Sequence, residues 1–368
     1  MQEHARVLRY AGRAGLNRLA SPIPRRLGRA NVNQVWRKSI SRPPPLSADH
    51  AKSRGLSGRV QPAPHHDQGR RSPSTSRRGA WAALRTMLDA KSRQAAIGAR
   101  SRYPASPVDL ERYGPWAVIA GGSEGLGASF AEMLAADGFG LVLLARKAEP
   151  LEETAAAARS AGADVRTLAV DLIAPDAIDQ IRTVTDDVDV GLLIVNAGAN
   201  AYGHPFVDGD LQRFRVVADL NTTARLALCH HFGGLMKQRQ RGGIMLVGSL
   251  SGYGGTPYSS IYNAAKAFSR VFAEGLWYEL RPHGVDVVEF VVGGMRTPAM
   301  ARRGMKFGPQ VADPADVAAE GLAHMADGPV WNSELAGGVA RAEELNRFPR
   351  PPVVEANAQV LRDLGLYP

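Results

Sequence analysis

Tyr262 and Lys266 stand four residues apart in Tyr262-Asn263-Ala264-Ala265-Lys266. In a helix that spacing puts both side chains on one face, with Cβ atoms about 5–6 Å apart. A phenol ordinarily titrates at about pH 10 and is a poor base at neutrality, but an ammonium one turn away favours the phenolate and makes the pair able to give and take a proton. Such a pair is weak evidence alone in a chain with 9 tyrosines. Its weight comes from what precedes it in order: Asn196-Ala197-Gly198 after one apolar run, then Asn221, then Ser249 at the end of another apolar run and 13 residues before Tyr262. Each has a plainer reading too: Asn221 can bond backbone inside its helix, and Ser249 can cap the turn after its strand.

A second chemical feature lies upstream. Gly121-Gly122-Ser123-Glu124-Gly125-Leu126-Gly127 follows the apolar run Trp116 to Ala120 and leads into an Ala-rich stretch. Glycines suit a tight turn whose backbone must approach a pyrophosphate, with the following helix presenting its N-terminus to the anion. The spacing is Gly-x-x-x-Gly-x-Gly and not the general Gly-x-Gly-x-x-Gly, and among 39 glycines it needs its context to mean anything. A strand before and a helix after supply that context, marking Gly121, Ser123, Glu124, Gly125, Leu126 and Gly127 as a cofactor cradle. The next apolar run ends at Ala145-Arg146-Lys147, where dinucleotide folds often carry an acid for the adenosine ribose. A guanidinium there can grip a 2′-phosphate bidentately, which favours NADP(H) and leaves NAD(H) as the other cofactor; a solvated loop cation is the plainer reading of Arg146.

These residues need elements to position them. Short Val/Leu/Ile-rich runs at 116–120, 140–145, 165–170, 190–195, 243–248 and 285–291 alternate with stretches that predict helices at 128–136, 151–161, 177–184, 211–237 and 261–280. This is the rhythm of βαβ units around a buried parallel sheet. The expected fold is α/β, a single Rossmann-like doubly wound parallel sheet of about seven strands with helices on both faces, and a ligand crevice at the carboxyl ends of the strands.

With the glycine turn, Asp171 after the third strand, Asn196-Ala197-Gly198, and Asn221, Ser249, Tyr262 and Lys266 in order, residues 113 to 328 resemble the classical short-chain dehydrogenase/reductase family. The resemblance implies an NAD(P)-dependent oxidoreductase acting on a ketone or secondary alcohol. Tyr262 would be the general acid or base, and Lys266 would hold the nicotinamide ribose and lower the pKa of Tyr262. Ser249 would bond the substrate oxygen, and Asn221 would support a proton-relaying water. Asp171 and Leu172 would meet the adenine, and Asn196, Ala197 and Gly198 the adenosine ribose. Gly293, Met295 and Thr297 would lie at the nicotinamide carboxamide. Asp171 could instead cap a helix beginning near Pro175. The family also implies a homo-dimer or homo-tetramer built on the long helices at 211–237 and 261–280.

Two departures stand out. Ala120 replaces the family's threonine before the first glycine, removing a side-chain brace on the turn, and Val292-Gly293 replaces Pro-Gly after the sixth strand, freeing a backbone dihedral. The loop after Thr297, with Met300, Arg302, Arg303, Met305, Lys306 and Phe307, mixes soft apolar side chains with cations. It suits a small-molecule substrate with an apolar body and an anionic handle, such as a 3-oxoacyl thioester or a steroid-like ring, and it reads equally as an ordinary surface loop. From Pro329 a last strand is expected, followed by the Pro-rich Phe348-Pro349-Arg350-Pro351-Pro352 over the active-site mouth.

The chain of 368 residues carries a net charge of +10, but that figure averages two unlike parts. Residues 1–110 hold 22 Lys+Arg against 5 Asp+Glu, and residues 111–368 hold 23 against 30. The Arg/Ser/Pro-rich first part has too few apolar residues to offset chain entropy, and disorder is expected there. It reads as a segment ahead of a start at Met87, as an organelle-targeting segment, or as a functional basic arm. The domain proper is expected at 111–368. Cys229, the one cysteine, excludes an internal disulfide and a cysteine-based zinc cluster and points to a reducing, cytoplasmic setting; no metal site is expected. No apolar run approaches the length of a membrane span, and the chain reads as soluble. Against the enzyme reading stands a non-catalytic NADP-sensing or nucleic-acid-associated protein acting through the basic arm. The intact order of proton-carrying residues argues against it, and nucleic acid is not the expected partner.

Overall fold

The computed structural model describes residues 108–302, 304, 311–335, 338–347 and 349–363. The basic segment at 1–107, with the three readings attached to it, lies outside the described residues. So do Arg303, Met305, Lys306 and Phe307 of the substrate loop, and Phe348.

In chain order the elements are α1 (Leu110–Tyr113), β1 (Trp116–Ala120), α2 (Leu126–Ala136), β2 (Gly140–Ala145), α3 (Ala148–Ser160), β3 (Val165–Ala169), α4 (Ala177–Arg182) and β4 (Val190–Val195). Then come α5 (Leu211–Asn221), α6 (Thr223–Arg239), β5 (Gly242–Ser249), α7 (Ser260–Leu280), β6 (Val285–Val292), α8 (Pro298–Arg302), α9 (Pro314–Ala323), β7 (Val330–Asn332), α10 (Gly338–Arg347) and α11 (Arg350–Asp363). The strands form one seven-stranded sheet in the order β3-β2-β1-β4-β5-β6-β7, and every pairing is parallel. The expected doubly wound architecture is therefore the observed one. Its order reverses at β1, between β2 and β4, and such switch points open a crevice at the carboxyl ends of the strands.

Alternate residues of each strand enter different cores, which is why the strands read as continuous apolar runs. One face sets Ile119, Leu143, Ile194 and Phe290 against Phe130 and Leu134 of α2, Leu151 of α3 and Val317 of α9. The other sets Val118, Leu144, Leu193 and Leu246 against Ile181 of α4, Leu228 and Phe232 of α6 and Ala273 of α7. Burying each large side chain contributes about 1.5–3 kcal/mol. The described fold starts with Val108, buried, whose N–H donates to Asp137 Oδ2 at 2.9 Å.

One expectation about helices is corrected. The stretch at 211–237 is two helices, with a break at Thr222 (φ −127°, ψ −72°). Thr222 Oγ1 and Asn221 Nδ2 donate back to the carbonyls of Ala218 and Val217, both at 2.8 Å, and such back-bonding competes with the helix ladder and bends it. The Pro-rich segment after β7 is helical: Pro351 and Pro352 sit in the first turn of α11, where a helix needs no N–H from them. Val353 of α11 and Leu345 of α10 pack with Tyr253 and Val291, and the Arg350 guanidinium donates to the carbonyls of Leu345 and Tyr253, both at 2.9 Å. The two helices are thereby tied to the turn that follows Ser249.

Candidate active site

The glycine turn begins where β1 ends. Gly121 takes φ +86°, and a Cβ there would lie 2.7 Å from the Ala197 nitrogen, so the turn and the end of β4 meet through a glycine. At Gly127 a Cβ would lie 2.0 Å from the Gly121 oxygen, a contact no other residue could make. Asn196 Nδ2 donates to the Gly121 carbonyl at 2.8 Å, and Thr154 Oγ1 of α3 donates to the Ser123 carbonyl at 3.1 Å. These two bonds brace the turn in the absence of a threonine at 120, and Thr154 is a residue that sequence reading missed. Gly125 precedes α2 and offers no side-chain oxygen to the first helical amides, leaving them to an anion. The Glu124 carboxylate is engaged elsewhere, in a two-pronged ion pair with Arg302 of α8 (2.5 and 2.8 Å). Thr297 lies against Gly125, where a Cβ would come within 3.1 Å of its Cγ2. Its Oγ1 accepts from the Met300 N–H at 3.3 Å, and Met295 bridges to Ala312. Gly293 is half-buried just beyond β6.

Arg146 and Asp171 are exposed beyond the adjacent ends of β2 and β3, whose last residues Ala145 and Ala169 are paired. Asp171 caps no helix: α4 begins at Ala177 after Asp176, and Asp171 Oδ1 accepts from the Ile173 N–H at 3.4 Å. Leu172 is buried beside it. The cradle as a whole fits a dinucleotide, since two of its positions admit only glycine and its helix start offers amides to a pyrophosphate.

Ser249 ends β5 and caps a short 3-10 turn, Leu250–Tyr253, its Oγ accepting from the Ser251 N–H at 3.2 Å. The plainer reading thus holds and does not compete with chemistry, because the hydroxyl keeps its proton to donate. That turn presses on α7 at Gly252, where a Cβ would lie 2.9 Å from the Lys266 carbonyl oxygen. Asn263 Nδ2 ties the start of α7 to the same loop by donating to the Gly254 carbonyl (2.7 Å) and Thr256 Oγ1 (3.0 Å). Neither Gly252 nor Asn263 had been singled out. Tyr262 is half-buried one turn before the buried Lys266, whose Nζ lies 5.6 Å from the Tyr262 ring centre and donates to the Val247 carbonyl at 2.9 Å. Burial first, and then the Arg225 guanidinium, hold Lys266 well below the usual lysine range, while Glu289 draws it back up. Asn221, the last residue of α5, is fully buried. Its Nδ2 donates to the Val217 and Ala199 carbonyls (2.8 and 3.2 Å), and its Oδ1 faces Gly198, where a Cβ would stand 2.6 Å away.

The expected residues therefore gather at the carboxyl ends of β1, β4, β5 and β6, with Arg146 and Asp171 at the neighbouring ends of β2 and β3. Among the described residues no group of three His, Cys, Asp or Glu side chains could hold a metal, and no helix is long and apolar enough to cross a membrane.

Comparison with known proteins agrees with this geometry. The family model for short chain dehydrogenases matches residues 115–306. A 7β-hydroxysteroid dehydrogenase of Clostridium sardiniense is 33% identical over 210 residues, covering 57% of this chain and 78% of its own. A very-long-chain 3-oxoacyl-CoA reductase of Podospora anserina is 33% identical over 202 residues, 53% of this chain, which spans 59% of that reductase's length. Among solved structures, a short-chain dehydrogenase from Sphingobium yanoikuyae in complex with NADPH superposes with a TM-score of 0.53 at 32% identity, over 57% of this chain and 84% of its own.

Proposed function

Since the chain belongs to the short chain dehydrogenase family and is an oxidoreductase of that kind, we propose that it interconverts a ketone and a secondary alcohol with NADP(H), using Tyr262, Lys266, Ser249 and Asn221. The observation that carries this reading is the buried Lys266, one helical turn from Tyr262, with its side-chain nitrogen fixed on the Val247 carbonyl and its backbone packed against the turn that Ser249 caps. When bound, the nicotinamide supplies or accepts the hydride. In reduction the Tyr262 phenol gives its proton to the substrate oxygen, and in oxidation it takes that proton back. Ser249 donates to the same oxygen, and Lys266 holds the ribose hydroxyls and favours the phenolate. Asn221, closing α5, supports the water through which Lys266 exchanges protons.

The amides from Gly121 to Gly127, with Ser123, Glu124, Gly125 and Leu126 between, would hold the pyrophosphate. Asn196, Ala197, Gly198, Asp171 and Leu172 would hold the adenosine, and Gly293, Met295 and Thr297 the carboxamide. Arg146, exposed at the end of β2, would take the 2′-phosphate, and the NADPH complex of the Sphingobium relative supports that preference.

Both curated relatives are named for large apolar substrates bearing a hydroxyl or oxo group, and this class suits the half-buried Met300. An anionic handle would have to rest on a cation other than Arg302, which Glu124 already pairs. Exposed Val216, Leu226, Phe268, Val271 and Tyr278 on α5, α6 and α7 favour a homo-oligomer on those helices. The buried Cys229 thiol fits a cytoplasmic setting, and the catalytic domain would span 111–368, with Val108 buried and Leu110 opening α1 just before it.

The test follows nicotinamide absorbance with the full chain, NADPH and a panel of ketones that includes steroid ketones and 3-oxoacyl thioesters. Turnover on a bulky ketone is expected, with NADPH bound more tightly than NADH. Absence of NADPH oxidation on every ketone, or turnover undiminished by Tyr262→Phe, would overturn the reading.

A further inference from the structure

Behind Lys266 the interior holds two more ionisable side chains that the mechanism above does not use. Arg225 of α6 and Glu289 of β6 are both fully buried. One Arg225 nitrogen, Nη2, donates to the Val247 carbonyl at 2.9 Å, the same oxygen that accepts from Lys266 Nζ, and to the Ala197 carbonyl at 3.3 Å. The other, Nη1, donates to Ser269 Oγ at 3.3 Å, and Ser269 Oγ donates to Glu289 Oε2 at 2.8 Å. Ser269 lies three residues after Lys266 on the same face of α7. The Glu289 carboxylate is seated by Gly248, where a Cβ would stand 2.3 Å from Oε1. A carbonyl oxygen has two lone pairs, and here each takes one cation. The network therefore joins α6, β5, β6 and α7 through the one oxygen that positions the Lys266 ammonium.

We propose that Arg225 and Glu289 are positioning residues for the Tyr262–Lys266 pair: the guanidinium fixes the Val247 carbonyl under Lys266, and the two opposite charges set, in opposing directions, the pH at which the pair releases its proton. The inference rests on the catalytic reading of that pair and extends it inward. The charged groups that act on Lys266 are Arg225 from α6 and Glu289 from β6; behind them Arg225 also faces Cys229 of α6, and Glu289 faces Arg270 of α7, whose guanidinium lies over the Tyr253 ring. Arg225 also interacts with Tyr262, so its charge reaches both members. A buried cation favours loss of a proton from whichever member carries it, and a buried anion opposes that loss. Arg225 thus lowers, and Glu289 raises, the pH of release. Removing one of the two leaves the other charge without its counter-charge, so the single variants act with opposite sign.

The experiment titrates Lys266 itself by the side-chain carbon resonances of labelled lysine in the full-length protein, its signal in each variant being assigned by its loss on Lys266→Met. Arg225→Met is expected to raise the midpoint by about one pH unit and Glu289→Gln to lower it by about one. The double variant is expected between them. Shifts of the same sign, or none, would overturn the proposal, since loosened packing alone has no reason to reverse sign between the two. Should Arg225→Met fail to fold, Glu289→Gln, nearly isosteric, still decides: an upward or absent shift overturns the proposal. The readout needs no substrate. A chain without turnover but with opposed midpoints would sink the oxidoreductase reading alone, and normal turnover with unmoved midpoints would sink this one alone.

Discussion

Glu289 and Glu320 are the same residue type, equally buried, in two regions of one sheet, and they are held by different physics. Glu320 of α9 sits at the β7 edge, where its carboxylate accepts from Trp331 Nε1 (3.1 Å), Ser333 Oγ (2.7 Å) and the Glu334 N–H (2.6 Å). Neutral donors saturate it and tie α9 to the end of β7. Glu289, in the catalytic region, takes one bond from Ser269, and among the described residues its Oε1 has no hydrogen-bond partner. Burial pushes its carboxyl up, and Arg225 and then Lys266 draw it back. A carboxylate satisfied by neutral hydrogen-bond donors is a clamp between elements. One balanced by charges is coupled to every proton that moves beside it.

That contrast can be broken or sharpened by measurement. The largest effect is expected on the catalytic side: Tyr262→Phe should cut turnover by about 10²- to 10⁴-fold while thermal unfolding stays where it was, because the loss is of a proton carrier and not of packing. A melting shift that accounted for the lost activity would erase the distinction. On the structural side, Glu320→Leu strands the donors of Trp331, Ser333 and Glu334 and should lower the unfolding free energy by about 3 kcal/mol or more in urea titration, with turnover per folded molecule unchanged. A small stability loss, or a changed pH profile, would show that Glu320 is no mere clamp.

Exposed charge should follow a third rule, acting on a ligand and not on the fold. Arg146→Asp should weaken NADPH relative to NADH by about tenfold or more in fluorescence titration and leave stability nearly unchanged. Equal affinities before and after would remove Arg146 from the site. The effect confined to alkaline pH concerns Cys229, whose thiol burial pushes up to about 12 from an ordinary 9.0. Its contribution to stability is complete below pH 9 and falls as pH rises toward 12, and Cys229→Ala should flatten that alkaline slope. In the native protein the thiol should resist alkylation at pH 8 and react on unfolding. Rapid native labelling would contradict its burial.

Much of this was legible in advance, for identifiable reasons. Strands buried on both faces must be apolar throughout, so β1, β2 and β4 are visible as runs from Trp116, Gly140 and Val190 with the ends the structure has. Tyr262 and Lys266 are related by helical spacing alone, and Gly121 and Gly127 by a turn that no side chain could enter. The break at Thr222 was hidden because it depends on which carbonyl two polar side chains choose, and both orders of bonding fit the same residues. Helices α10 and α11 were hidden because Pro349, Pro351 and Pro352 read as breakers, whereas Pro351 and Pro352 sit in a first turn that tolerates them.

Arg225 and Glu289 mark the boundary most clearly. Each is visible as a charge inside an apolar stretch, yet 64 residues and a strand separate them, and nothing local says that they face one another. Periodicity and spacing are properties of neighbours along the chain, so the βαβ order, the glycine cradle and the helix that pairs Tyr262 with Lys266 are written in local residue order. Whether a buried charge meets an opposite charge, a neutral donor or a shared carbonyl depends on how distant elements pack. Only the tertiary structure decided that Glu320 is saturated, that Glu289 balances Arg225, and that Val247 carries both cations.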